Sequence, residues 1–215
     1  MPAKARPPAP PQSHPDVEIL GSEIAFTRHL QVEIVRFRNR LFAGGWSGER
    51  VFDVVRRGPA VSVILYDPER DSVVLVEQFR IAALYAGRSP WQIEAVAGLV
   101  EGDETPEQVA RREVREEAGL DPIGALVPIQ TMLVASGSFD EAVWLFCGRV
   151  DSSAAAGVYG LAEEQEDIRV VVKTIAEAEA MLDSGQIESA HTLICLYWLL
   201  RHRDRLRQEW PAAQR

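Results

Sequence analysis

The sequence predicts an α+β fold with helices layered on a mixed sheet. Short apolar runs, several with period-two alternation, recur between residues 17 and 173. Helical patterns fall at about 106–118, 175–184 and 189–208, without the strict strand–helix alternation of a doubly wound parallel sheet. The length of 215 residues, 47% of them hydrophobic, supplies the core of one large domain.

Taken in order, residues 1–16 are a Pro-rich tail, with six of the thirteen prolines in the first fifteen positions. Proline fixes φ and removes a donor, so disorder is expected there. Residues 17–57 form a β-rich leader. Leu30–Phe37 alternates as a half-buried strand should, Ala43–Gly48 reads as a turn, and Val51–Val55 begins another strand. The main domain spans 58–210. Ala60–Tyr66 and Ser72–Phe79 flank the hairpin loop Asp67–Asp71. Trp91–Ala97 is a further strand, as are Ile129–Ala135, Ala142–Val150 and Ile168–Lys173. Asp151–Asp167 is a long acidic loop. Thr174 and Glu177 make a capping box for a helix that Gly185 ends, and a last amphipathic helix covers 189–208.

With 23 Lys and Arg against 32 Asp and Glu, the net charge is −9. Non-specific nucleic-acid binding needs cations to neutralise phosphates, so nucleic acid is not an expected partner. Cys147 and Cys195 cannot form a disulfide framework and suit a reducing cytoplasm. The apolar run Leu193–Leu200 is far too short for a membrane span. The remaining question is whether the negative charge is spread out or focused.

Gly98–Leu120 answers it. Thr105 stands at N-cap, Pro106 at N1 and Gln108 at N3, and Gly119 suits the C-terminal cap, so a helix is expected over 106–118. With Glu113 at zero, Glu117 falls at about +40° and Glu116 at about −60°, an arc of about 100°. Ala110, Val114 and Ala118 lie beside it, so the acidic arc borders the apolar stripe. Carboxylates at these spacings repel, more strongly where the dielectric is low. A divalent cation with oxygen ligands would relieve this. The alternative is a solvated charged face, with Arg111, Arg112 and Arg115 as partners.

Gly98, Glu104, Arg112, Glu113, Val114, Glu116, Glu117, Gly119 and Leu120 match, position by position, the signature of the Nudix hydrolases. The resemblance extends through Leu41–Glu49, Arg57–Val61, Val73–Leu84, Pro90–Glu104 and Gly160–Val170, where the chain is similar to bacterial ADP-ribose pyrophosphatases. It implies a Nudix α/β/α sandwich with a small N-terminal antiparallel sheet, and a homodimer built in part by residues 17–57. It also implies Mg²⁺-dependent hydrolysis of ADP-ribose to AMP and ribose 5-phosphate, with two or three ions and Mn²⁺ as the alternative metal. Glu113, Glu117, Glu116, Glu166 and the Ala97 carbonyl would be the metal ligands. Arg112 would orient the glutamates with help from Glu104. Glu164 aligns with the catalytic base, with Glu163 as its neighbour, and Glu116 supports catalysis. Arg80 would meet phosphate, Glu94 adenine or ribose, and Glu141 the terminal ribose.

Ser136–Glu141 departs from the family's Ser-Pro-Gly-Gly stretch, lacking its proline. Another nucleotide sugar, such as GDP-mannose or ADP-glucose, is therefore the alternative substrate. A non-catalytic ADP-ribose-sensing module is the alternative class, and the retained glutamates count against it.

Overall fold

The computed structural model describes residues 13–210. The expected tail therefore lies outside the described residues over positions 1–12. The chain divides into two compact units. The first runs up to Pro59 and includes Leu133–Ala142; the second comprises Ala60–Met132 and the chain from Val143 onward.

The first unit is a three-stranded antiparallel sheet: β1 (Val17–Thr27), β2 (Gln31–Asn39) and β3 (Arg50–Arg56), in that order. The β1–β2 hairpin carries irregularities at Ile19/Gly21 and Ile24/Phe26. Between β2 and β3, Trp46 lies under the guanidinium groups of Arg40 and Arg38, 4.4 and 5.2 Å from its ring centroid. Leu133–Ala142 is tied to β3. The Val55 amide donates to Ser138 O at 2.8 Å, and Asp140 accepts from Arg56 Nε at 2.7 Å and from the Arg57 amide at 2.8 Å. Burial opposes the Asp140 charge, but Arg56 and the two backbone N–H groups of Arg57 and Gly58 hold its carboxyl below the usual range.

The second unit holds an eight-stranded mixed sheet. Its strands are β4 (Ala60–Asp67), β5 (Ser72–Phe79), β6 (Trp91–Glu94), β7 (Val96–Leu99), β8 (Val127–Leu133), β9 (Ala142–Arg149), β10 (Val158–Tyr159) and β11 (Ile168–Thr174). The main order is β10-β11-β5-β4-β9-β8, with β6 on β5 and β7 on β4. The β4–β9 pair is parallel, whereas β4 pairs antiparallel with both β5 and β7. Among the described residues, four helices accompany the sheet: α1 (Ile81–Tyr85), α2 (Pro106–Ala118), α3 (Ile175–Asp183) and α4 (Ala190–Glu209).

Side-chain alternation on β4 and β5 separates two cores. Val61, Val63, Val74 and Val76 pack with Val109, Ala110 and Val114 of α2. Ile64, Tyr66, Val73 and Leu75 pack with Ile175 and Leu182 of α3 and Leu196 and Leu199 of α4. The result is a helix–sheet–helix sandwich, as expected. No described helix is long and apolar enough to cross a membrane.

The expected single strand Trp91–Ala97 is two strands. β4 and β5 pair directly only over Leu65–Asp67 and Ser72–Val74. Beyond that they diverge, and the 91–99 run fills the gap, giving β6 to β5 and β7 to β4 with a break at Ala95. The acidic loop contains the short strand β10 and 3₁₀ turns at Ser152–Ala154 and Ala162–Glu164.

Candidate active site

The site is built on α2. Its N-terminus is fixed by the expected capping box: the Thr105 hydroxyl accepts from the Gln108 amide at 3.3 Å, and Gln108 Oε1 accepts from the Thr105 amide at 2.8 Å. Gly119 ends the helix in a left-handed conformation. The acidic arc grades from core to solvent. Glu117 is 2% exposed, while the side chains of Glu113 and Glu116 are 13% and 25% exposed. Gly98 on β7 lets Glu113 in: a Cβ there would stand 1.9 Å from Glu113 Oε1.

Arg112 gathers three of the glutamates. Its Nη1 is 2.9 Å from Glu113 Oε1 and 2.7 Å from Glu116 Oε2, and its Nε is 3.3 Å from Glu104 Oε2. Glu117 accepts from the Ala97 amide at 3.1 Å. Burial is the main cause that pushes the Glu113 carboxyl up to about 7; Arg112 opposes it, while Glu116 and Glu166 add repulsion. Burial likewise pushes Glu117 up to about 8, against the Ala97 amide and with repulsion from Glu113 and Glu166. Two carboxylates that resist ionisation beside a third are a site that lacks positive charge.

Glu166 comes from the loop before β11. Its Oε2 accepts from the Leu161 amide at 3.1 Å, and the Gly160 amide donates to Glu116 O at 3.0 Å, so loop and helix are joined. Gly160 is required here, with φ +106° and no space for a Cβ, which would stand 2.6 Å from Glu166 Cβ. Glu164 lies in the same field: burial raises its carboxyl, with Glu166, Glu101 and Glu116 adding repulsion. The structure thus brings Glu113, Glu116, Glu117, Glu164 and Glu166 into one electrostatic neighbourhood. Among the described residues, however, no three acidic, cysteine or histidine side chains converge closely enough to hold an ion unaided. Arg112 bridges Glu113 and Glu116 instead.

Arg80, which follows β5, donates from Nε to Glu94 Oε2 of β6 at 2.8 Å. Its charge also reaches Glu117. Glu141 belongs to the first unit, where burial raises its carboxyl, Arg57 opposes the rise and Asp140 adds to it. The sequence reading did not single out Glu101 or Gln78. Glu101 stands within the Gly98–Glu104 segment, and Gln78 is found by continuing the Val74–Val76 alternation along β5.

The chain is similar to known proteins in sequence and in fold. The NUDIX domain family matches residues 56–192. The ADP-ribose pyrophosphatase of Escherichia coli (strain K12) is 41% identical over 195 residues, covering 91% of this chain and 93% of that protein. The ADP-ribose pyrophosphatase of Haemophilus influenzae is 41% identical over 204 residues, 94% of each chain. A GDP-mannose pyrophosphatase of Citrobacter koseri is 33% identical over 148 residues, 68% of this chain and 76% of that one. In fold, a crystal structure described as an ADP compounds hydrolase matches with a TM-score of 0.69 at 19% identity, over 93% of this chain and 99% of that one.

Proposed function

The chain belongs to the NUDIX family and is a Nudix pyrophosphohydrolase, and we propose that it hydrolyses the pyrophosphate of ADP-ribose to AMP and ribose 5-phosphate with Mg²⁺. The observation that carries this reading is the pair Glu113 and Glu117, buried together with raised carboxyls on the helix that bears the motif. Nudix hydrolases generally use divalent metal ions. The donor set fits such ions: oxygen ligands only, incomplete without a further ligand such as a substrate phosphate, which suits Mg²⁺ better than a closed protein cage.

Glu113, Glu117, Glu116, Glu166 and the Ala97 carbonyl would hold two or three ions, Mg²⁺ or Mn²⁺. When bound, they screen the pyrophosphate charge and make water at the site more acidic. Arg112 keeps Glu104, Glu113 and Glu116 in position through the bonds already described. Glu164 accepts the proton of the water whose oxygen attacks phosphorus as the P–O bond to the bridging oxygen breaks. Arg80 binds a phosphate oxygen by a charge-assisted hydrogen bond. Glu94 aims Arg80 and meets adenine or ribose; resemblance alone gives Glu141 the terminal ribose.

The test is AMP formation from ADP-ribose and Mg²⁺. Glu164→Gln is expected to lower kcat by about 10²–10⁴-fold with the melting temperature unchanged. Absence of AMP from the unaltered protein overturns the reading. The 136–141 segment, without the family's proline, motivates the second reading, hydrolysis of GDP-mannose or ADP-glucose, which a comparison of kcat/KM across these substrates decides. A homodimer is supported by the exposed apolar side chains Ile19, Ile24, Phe26, Val51 and Phe52 of the first unit and is tested by sedimentation equilibrium. The free, buried Cys147 and Cys195 fit a cytoplasmic setting, which cell fractionation tests.

A further inference from the structure

β5 turns alternate side chains to the two cores. Val74 and Val76 lie on the α2 side, and Val73 and Leu75 on the α4 side. Gln78 continues the α2 side. Across the β5–β6 ladder Val76 faces Glu94 and Gln78 faces Gln92. Arg80 follows two residues on with extended backbone (φ −125°, ψ 94°) and holds Glu94. Gln78 therefore stands in line between the apolar floor under α2 and the Arg80–Glu94 pair.

The Gln78 side chain is in a residue only 5% exposed, and its Nε2 has no hydrogen-bond partner among the described residues. A primary amide carries two N–H donors, and leaving them unmet in the interior destabilises a fold. The other buried polar atoms without a hydrogen bond have different surroundings. Ser62 lies on the α4 side beside Cys195, Arg203 has Asp71 at 3.3 Å, and Gln31 belongs to the first unit. Among the described residues, only Gln78 combines an unmet donor with the face of the sheet that carries the site.

We propose that Gln78 is a substrate-binding residue whose Nε2 donates to a non-bridging oxygen of the bound nucleoside diphosphate. This rests on the pyrophosphatase reading above and assigns one more group to it. A neutral donor suits the place. A carboxylate there would repel the diphosphate. An amide adds a hydrogen bond without changing the site's charge.

The test uses Gln78→Met, which keeps length but has no donor, and Gln78→Glu, which keeps shape but only accepts. Each full-length variant is assayed with ADP-ribose and Mg²⁺. Each is also titrated calorimetrically with ADP, which carries the diphosphate without a distal sugar. Gln78→Met is expected to raise the KM for ADP-ribose and the Kd for ADP by about tenfold, leave kcat within about twofold, and melt no lower than the unaltered protein. Gln78→Glu is expected to lose more affinity. A merely structural glutamine would instead lower the melting temperature and leave KM and Kd alone, and that result overturns the proposal. If Gln78→Met does not fold, unchanged KM and Kd in a folded Gln78→Glu protein overturn it equally. If the unaltered protein fails to cleave ADP-ribose, the pyrophosphatase reading falls. The ADP titration still decides Gln78, with weaker binding by the variants supporting the role and equal binding, or none by the unaltered protein, removing it.

Discussion

Glu117 is a carboxylate placed where the fold alone would not put one. Its ordinary pKa is 4.5, and in the folded chain burial raises it to about 8. The folded state thus holds its proton more tightly than the unfolded chain. Stability from this group is greatest below about pH 4.5 and falls as pH rises toward about 8. Glu117→Gln keeps the shape and removes the charge. In metal-free buffer at pH 8 the variant is expected to melt above the unaltered protein, while hydrolysis of ADP-ribose falls by about 10²-fold or more. Differential scanning calorimetry in a chelator, paired with the AMP assay, checks both halves; a lower melting temperature contradicts the account of the site. Gly98 makes the complementary case. Gly98→Ala must displace Glu113, since the new Cβ would meet its carboxylate at 1.9 Å, and moving this proposed metal ligand is expected to reduce kcat/KM by about 10²-fold. These residues were legible because 100° of rotation per residue is enough to set Glu113, Glu116 and Glu117 beside the apolar stripe. Gln78 and Glu101 carry sequence cues, the β5 alternation and the motif segment, but what singles them out is the company of distant strands and loops.

At the scale of elements, α2 was readable to the residue because its end signals are local chemistry. The capping box at Thr105 and the left-handed Gly119 act within a few residues of themselves. Thr105→Ala is expected to lower unfolding stability by about 1 kcal/mol, measurable by urea denaturation, and to leave the carboxylates in place with little change in kcat. The β6–β7 break was not readable, because Trp91–Leu99 is one apolar run whose division is imposed by the divergence of β4 from β5. The return of Leu133–Ala142 to the first unit was equally hidden. It depends on Val55 and Arg56 meeting Ser138 and Asp140, more than eighty residues away. The 160–167 loop lies between these cases. Its acidity was plain, but the backbone bond from Gly160 to Glu116 that fastens it to α2 is tertiary. Gly160→Ala is expected to lower kcat by tenfold or more, roughly, because both φ and the Glu166 side chain would have to shift. An unchanged kcat would mean that the loop adjusts freely.

For the molecule as a whole, the net charge of −9 hides carboxylates with opposite effects on stability. Those of the site weaken the metal-free fold as pH rises, whereas Asp67 strengthens it. Asp67 is 1% exposed at the end of β4. Its two oxygens accept from the Glu69 and Arg70 amides, Arg70 Nη1, and the amide and hydroxyl of Ser152, at 2.7–3.1 Å. Burial opposes the charge, yet the bonds from Ser152 and Arg70 outweigh it and hold the carboxyl at about 2, against an ordinary 3.8. The unfolded chain therefore takes up this proton first as pH falls. The stabilisation, about 2 kcal/mol by linkage, is present above about pH 4 and is lost as pH drops through the folded value near 2. Asp67→Asn keeps the shape but substitutes an NH₂ for one accepting oxygen, so the two or three N–H and O–H groups on that oxygen lose their acceptor. The variant is expected to be less stable by about 2–3 kcal/mol at pH 7 and to show a flatter decline in melting temperature between pH 5 and 2. Because Asp67 joins the β4–β5 turn to the start of the 151–167 segment, that loss would also loosen the base from which the loop carrying Glu164 and Glu166 sets out. Parallel acid-unfolding curves for the two proteins would show that the acid sensitivity of the fold resides elsewhere.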